Sequence, residues 1–172
     1  LDVADATSVT RASKTVASKY PELNVLVNNA GIMLWENLLE PTSLQIAEDT
    51  VTVNLLGTIR MVYAFLPQLV DKSDAVIMNV TSSLAFVPLP ATPTYNATKA
   101  ALHSFTESLR IQVADASVQV IEVAPPGVRT TLLGQESDEQ SMPVEGFLSE
   151  TMTLLRGEPA APSAPSSALG RS

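Results

Sequence analysis

Tyr95 and Lys99 stand four residues apart, downstream of Ser82, in the stretch Ser82-Ser83-Leu84-Ala85-Phe86-Val87-Pro88-Leu89-Pro90-Ala91-Thr92-Pro93-Thr94-Tyr95-Asn96-Ala97-Thr98-Lys99. On a helix that spacing puts both side chains on one face, where their ends can meet. A cation beside a phenol favours the phenolate, so Tyr95 is expected to titrate below its ordinary value. Such a hydroxyl can pass protons near neutral pH, and a serine beside it can donate a hydrogen bond to an oxygen. The chemistry within reach of these groups is reduction of a carbonyl or oxidation of an alcohol. The same spacing suits an ordinary helix with Tyr95 half buried and Lys99 in solvent. The elements around them have to decide.

Ser82 follows Ala75 to Asn79, an apolar run that reads as a buried strand continuing through Val80 and Thr81. Prolines 88, 90 and 93 stiffen the loop before a helix expected over Tyr95 to Ala114, with Leu102, Phe105 and Leu109 as its apolar stripe. Upstream, Leu1-Asp2-Val3 reads as the tail of a strand, and Asp5 to Ser8 offers capping side chains. Val9, Ala12, Val16 and Tyr20 then mark a helical face that Pro21 ends. Val25-Leu26-Val27 is a short strand turning at Asn28-Asn29-Ala30-Gly31. Its continuous apolar character fits a parallel sheet covered on both faces. Ile32 to Glu40 is a connection in which Trp35 suits a packing anchor as well as a substrate contact.

A long helical region is expected from Ser43 to Val70, with interruptions near Asn54 and Gly57 and again near Pro67. Val118 to Ala124 is a further strand, stopped by Pro125-Pro126-Gly127; its partial alternation fits either a place nearer the sheet edge or a Glu122 that emerges at the strand's end. Val128 to Met142 is polar, as a mobile lid could be, and a last helix is expected over Val144 to Leu155 with Pro143 at its first position. The order predicts repeated βα units with right-handed crossovers, an α/β fold. Ligands of open α/β sheets bind at the C-terminal strand ends. Three polar or glycine-bearing clusters fall there: Asn28 to Gly31, Ser82-Ser83, and Pro126 to Thr130.

The chain has 172 residues, 45% of them hydrophobic, enough for one domain with a real core. No apolar run approaches the roughly 20 residues that span a membrane, and no basic-then-apolar leader opens the sequence. Without cysteine there is no disulfide or thiolate chemistry, and a single histidine argues against structural zinc. A net charge of −8 argues against nucleic acid as a partner. A soluble, reducing, cytoplasmic setting is expected. Residues 1–156 read as a partial domain, and 157–172, rich in proline, alanine and serine, as a disordered tail.

Taken together, these residues resemble the short-chain dehydrogenase/reductase family. Asn28-Asn29-Ala30-Gly31 is similar to its NNAG strand-end motif, and Ser82, Tyr95 and Lys99 to its serine and YxxxK pair, thirteen residues separating Ser82 from Tyr95. Asn54 matches the helix asparagine of the catalytic tetrad, Pro126-Gly127 the PG motif, Thr130 a cofactor-contacting threonine, and Asp2 an aspartate near the adenine. The pattern around Asn28 to Met33 and Pro125 to Leu133 is similar to bacterial reductases of unassigned substrate, including that of the D-alanylation operon.

The resemblance implies a three-layer Rossmann-like parallel sheet and NAD or NADP as cofactor. Tyr95 would be the acid and base, and Lys99 would lower its pKa and hold the nicotinamide ribose. Ser82 would orient the substrate oxygen, and Asn54 would fix a water leading to Lys99. Cofactor contacts are expected from Asp2, Asn28, Ala30, Gly31, Tyr95, Lys99, Pro126, Gly127, Val128 and Thr130, and substrate contacts from Ser82, Leu84, Tyr95, Leu132 and Met142. The partner would be a small carbonyl or alcohol, in a homodimer or homotetramer built on the Asn54 and Tyr95 helices. Arg129 could meet a cofactor phosphate or pair locally, and His103 reads as a satisfied core or interface histidine.

Departures from the family pattern set the alternatives. The first strands, the glycine-rich TGxxxGxG turn and the final strand find no counterpart in this sequence, and Ala85 and Thr98 stand where glycine and serine are common. Two readings follow: the interior of a working oxidoreductase, or a truncated chain that keeps the tetrad without a competent dinucleotide site. A third, a non-enzymatic binding protein on the same fold, leaves the tetrad without a purpose.

Overall fold

In the computed structural model the described residues are 1–41 and 43–157. Helix α1 (Ala6–Lys19) starts where the Asp5 carboxylate accepts from Thr7 N, and its Val9 is buried. Strand β1 (Val25–Asn28) follows, then α2 (Ser43–Val51), a π-helical segment (Thr52–Gly57) and α3 (Thr58–Leu69). Strand β2 (Ala75–Val80), a 3-10 turn (Ser83–Ala85), α4 (Pro93–Gln112) and β3 (Val118–Val123) complete the core. A second 3-10 segment (Leu132–Ser137) and α5 (Val144–Gly157) close the described chain.

The strands form one parallel sheet in the order β1-β2-β3, with Asn28 opposite Asn79 and Val80 opposite Val123. Because strand side chains alternate, Leu26, Ala75, Ile77, Val118 and Val120 share one face. There they meet Val9 of α1, Met61, Val62, Phe65 and Leu69 of α3, Leu109 of α4 and Val113 at its C-cap. The α/β fold and parallel sheet are as expected. Of the expected layers, the described residues build the sheet and the helices on that face; on the other, Val25 and Val27 are 45% and 52% exposed.

Several expectations change. Leu1 to Val3 is not strand but the approach to α1, with Ala4 N donating to Asp2 Oδ1 at 2.9 Å. The interruption near Asn54 is a π-helical segment, a single-turn distortion that often marks functional positions. Pro67 breaks nothing: it lies inside α3 near its C-terminal end, and both it and Tyr63, whose carbonyl its ring disconnects, face solvent. Joined end to end, Ser43–Leu69 is long and apolar enough to cross a membrane by length and composition, contrary to the run-by-run reading. Of its apolar residues, Met61, Val62, Phe65 and Leu69 pack on the sheet. The Pro/Ala/Ser-rich tail lies outside the described residues beyond Gly157.

Candidate active site

Strand β2 delivers the first functional side chain. Past Val80, Thr81 and Ser82 are buried, and Ser82 is extended (φ −170°, ψ 154°). Leu84 N donates to Ser82 Oγ at 3.1 Å, which fixes the oxygen and leaves its hydrogen to be donated elsewhere. Ser83 N donates to Pro125 O at 2.9 Å, tying the ends of β2 and β3 together.

Helix α4 delivers the next two. Proline suits its first position, where the missing N–H has no helical partner anyway. Tyr95 therefore falls in the first turn and Lys99 one turn later, both buried. The Glu36 carboxylate accepts from Thr94 N at 3.1 Å and Thr94 Oγ1 at 2.6 Å, satisfying a helix N-terminus from a loop far away in sequence. Glu36 N in turn donates to Ala91 O at 3.0 Å.

The lysine does not do to the tyrosine what the spacing suggested. Lys99 Nζ lies 5.6 Å from the centre of the Tyr95 ring and donates to Val80 O at 2.8 Å, so it is over the ring and tied to β2. Burial pushes the Tyr95 phenol above its ordinary value, and a hydrogen bond with Ser82 pulls it partly back. Burial also brings the Lys99 ammonium down to about 8. Desolvation disfavours both charged forms and outweighs the attraction between them.

Asn54 completes the group from the π segment. Its Oδ1 accepts from Ile32 N and its Nδ2 donates to Ile32 O, both at 2.8 Å, with Thr98 Oγ1 at 3.5 Å from Nδ2. Its side-chain donors are thus committed within the protein. A relay through water would fall to its main-chain carbonyl, which accepts from Thr58 Oγ1 at 3.3 Å. Gly31 lies beside it: a methyl group there would stand 3.4 Å from Asn54 Oδ1 and 3.9 Å from Lys99 Nζ. Ser82, Tyr95, Lys99 and Asn54 therefore converge where β1 and β2 end.

The remaining expected residues divide. Ala30 and Gly31 are exposed at the end of β1, and Pro126 and Gly127 are exposed after β3. Asn28 points elsewhere: its Nδ2 donates to Asn79 Oδ1 and Asn79 Nδ2 to Thr106 Oγ1, each at 2.9 Å, a buried chain from β1 through β2 to α4. Asp2 is exposed at the start of α1. Val128 pairs with Met142, and Thr130 Oγ1 accepts from Leu132 N at 3.2 Å. Leu84, Leu132 and Met142 are half-buried on the turns that follow β2 and β3.

The polar stretch expected as a lid is pinned. Arg129 Nε donates to Asp138 O and Ser141 O at 3.0 and 2.9 Å, and its Nη2 to Glu139 O at 3.0 Å, so the local pairing is realised. Two open surface clefts of about 580 and 650 Å³, lined by residues such as Tyr20 and Leu23 or Glu48 and Thr52, hold none of the four converging side chains.

Sequence reasoning missed Glu36, Thr81 and the carbonyl of Val80. No local signal points to Glu36, because its partner is 58 residues away. Glu122 carried a signal, a charge interrupting an apolar strand, but it is turned inward rather than emerging at the strand's end.

The sequence model described as short chain dehydrogenase matches residues 1–141. The "Uncharacterized oxidoreductase DltE" of Bacillus subtilis is 43% identical over 150 residues, 87% of this chain and 60% of the relative. A short chain dehydrogenase from Burkholderia cenocepacia in complex with NADP superposes with a TM-score of 0.81 at 30% identity, over 93% of this chain and 67% of that one. The 3-ketoacyl-(acyl-carrier-protein) reductase from Brucella melitensis complexed with NADH does so at 0.76 and 28% identity, over 94% and 69%. The chain thus spans 60% of the length of the Bacillus relative.

Proposed function

The chain belongs to the short-chain dehydrogenase family, and from that premise we propose that it serves an NAD(P)-dependent oxidoreductase in which Tyr95 moves the proton of a carbonyl or secondary alcohol. The observation that carries this reading is the joint burial of Ser82, Tyr95, Lys99 and Asn54 at the C-terminal ends of parallel strands. That is where α/β folds bind their ligands.

The residues present fit the nicotinamide end of the cofactor. The missing side chain of Gly31 leaves open the space beside Asn54 and Lys99 that a methyl group would fill, in ordinary contact with both. Ala30, Gly31, Tyr95 and Lys99 would hold that end, with Pro126, Gly127, Val128 and Thr130 from the turn after β3 and Asp2 toward the adenine. When bound, the nicotinamide supplies or accepts the hydride. The cofactor comes to this chain by its likeness to relatives solved with NADP and NADH.

The protein's own part is proton transfer and orientation. Burial raises the Tyr95 phenol further above neutral pH, so it stands protonated, the form needed to donate to the oxygen of a carbonyl being reduced. Ser82, its oxygen held by Leu84 N, can direct its hydrogen at that same oxygen. Lys99, anchored on Val80 O, brings a positive charge beneath the ring. A small-molecule substrate in a cytoplasmic homodimer or homotetramer belongs to the same proposal. Tyr63 and Ile111, 75% and 66% exposed on α3 and α4, support the assembly.

A second reading, a chain with the tetrad but no competent cofactor site, draws support from the exposed Val25 and Val27 on one sheet face. Titration of the folded chain with NADPH and NADH, read by nicotinamide fluorescence, separates the two. Saturable binding, with carbonyl turnover that Tyr95→Phe lowers at least about 100-fold, supports the oxidoreductase. No binding supports the second reading.

A further inference from the structure

Glu122 is the penultimate residue of β3, and its side chain is only 12% exposed. Its Oε1 accepts from Thr81 Oγ1 at 2.7 Å, and its Oε2 lies 2.8 Å from His103 Nδ1. Thr81, 2% exposed, is the residue immediately before Ser82, and its N donates to Val123 O at 2.8 Å. His103 stands one turn beyond Lys99 on α4, and the Phe86 ring meets its imidazole edge-on at 4.8 Å between centroids. Phe86 follows the 3-10 turn that Ser82 caps. The other charged groups of α4 toward β3 are Glu107 and Arg110, which pair with each other while Arg110 Nε donates to Val120 O at 3.2 Å.

A carboxylate so little exposed is costly unless its oxygens are hydrogen-bonded. Strands β2 and β3 are already joined by their backbone ladder from Ala75–Val118 to Val80–Val123. What the carboxylate adds is a side-chain tie on both sides of Ser82: through Thr81 before it, and through His103 and Phe86 after it. We propose that Glu122, steadied by His103, is a positioning residue that acts through Thr81 to fix the direction of the Ser82 hydroxyl toward Tyr95. The importance of that direction rests on the oxidoreductase reading; the test does not.

Among the three tyrosines, Tyr20 and Tyr63 are exposed, so a Tyr20→Phe/Tyr63→Phe background leaves Tyr95 as the sole phenol. Alkaline titration of the full chain, read by phenolate absorbance with circular dichroism confirming the fold, then reports Tyr95 without turnover. Ser82→Ala is expected to move the midpoint up by removing the hydrogen bond that opposes burial. Glu122→Leu should move it up by most of the same amount. Glu122→Gln should not, because the amide still accepts from Thr81 and can donate to an unprotonated His103 Nδ1. The Ser82→Ala/Glu122→Leu double variant should match Ser82→Ala alone. Should Glu122→Leu fail to fold, Thr81→Val removes the linking hydroxyl, which also reaches Val123 O at 3.3 Å, and should give the same rise.

A midpoint untouched by Glu122→Leu or Thr81→Val in folded protein overturns the proposal. So do additive shifts in the double variant, or a Glu122→Gln shift as large as that of leucine. Absence of carbonyl turnover in the unsubstituted chain would count against the oxidoreductase reading and leave these titrations standing.

Discussion

Asn54 and Ile32 hold each other twice, side-chain oxygen to backbone N and side-chain nitrogen to backbone O, each at 2.8 Å. This clasp joins the π segment to the loop leaving β1, one residue after Gly31. Asn54→Asp keeps the acceptor, loses the donor and turns a charge toward the Ile32 carbonyl. An unsatisfied group of this kind costs about 1–3 kcal/mol, so the urea midpoint should fall accordingly. An unchanged midpoint would mean the clasp contributes nothing.

Gly57, at the end of the same π segment, is packed against the chain before α1. An added methyl group would stand 2.9 Å from Val3 Cγ2 and 3.4 Å from Val3 O. The branched Val3 side chain has little room to turn, so Gly57→Ala should lower stability by about 1–3 kcal/mol through overpacking. Pairing it with Val3→Ala should recover part of that loss. If thermal melts of the single variant match the parent, the packing is looser than these distances require.

The contrast between these positions shows what a sequence can disclose. Strand ends, helix starts and the Tyr95–Lys99 face were legible because they follow from short-range periodicity and proline placement. The broken alternation of β3 left a near-edge place and an emerging Glu122 both open; β3 does end the described sheet, and Glu122 is turned inward. The clasp of Asn54, the Glu36 cap and the Thr81–Glu122 tie were not, because each links residues at least 22 apart through geometry that no local pattern encodes. The electrostatics of Tyr95 were misjudged for a related reason. Spacing places an ammonium near a phenol, but only burial and the Val80 carbonyl reveal that desolvation dominates.

Glu36 offers a test of how far the start of α4 matters. Its carboxylate holds both Thr94 N and Thr94 Oγ1, one residue before Tyr95. Glu36→Ala should cost about 1–2 kcal/mol, as losses of helix caps do. Under the oxidoreductase reading it should also lower turnover more than substrate affinity, because Tyr95 sits in the freed turn. Glu36→Gln, which still accepts from Thr94, should retain most of both. Equal losses in the two variants would show that charge rather than the cap geometry matters.

Lys99 gives the chain a pH signature that needs no substrate. Its ammonium titrates at about 8 in the folded protein and at 10.5 when unperturbed, so between those values the unfolded chain holds more protons. Stability therefore rises with pH across that window, and the folded state bears the full burden of the buried charge below pH 8. The span corresponds to about 3 kcal/mol between the two limits. Tyr95 works in the opposite direction: its raised phenol means the unfolded chain loses that proton first, so the rise is reversed as pH climbs past 10. Melting temperature should thus increase from pH 8 toward 10 and fall beyond it. Lys99→Met removes the buried charge while keeping an apolar stem over the Tyr95 ring. The variant also leaves the Val80 carbonyl without its donor, at a cost of about 1–3 kcal/mol, so the expected mark of the substitution is the loss of the rise between pH 8 and 10. A parent whose melting temperature is flat across that interval would mean that Lys99 is solvated enough to titrate near its ordinary value.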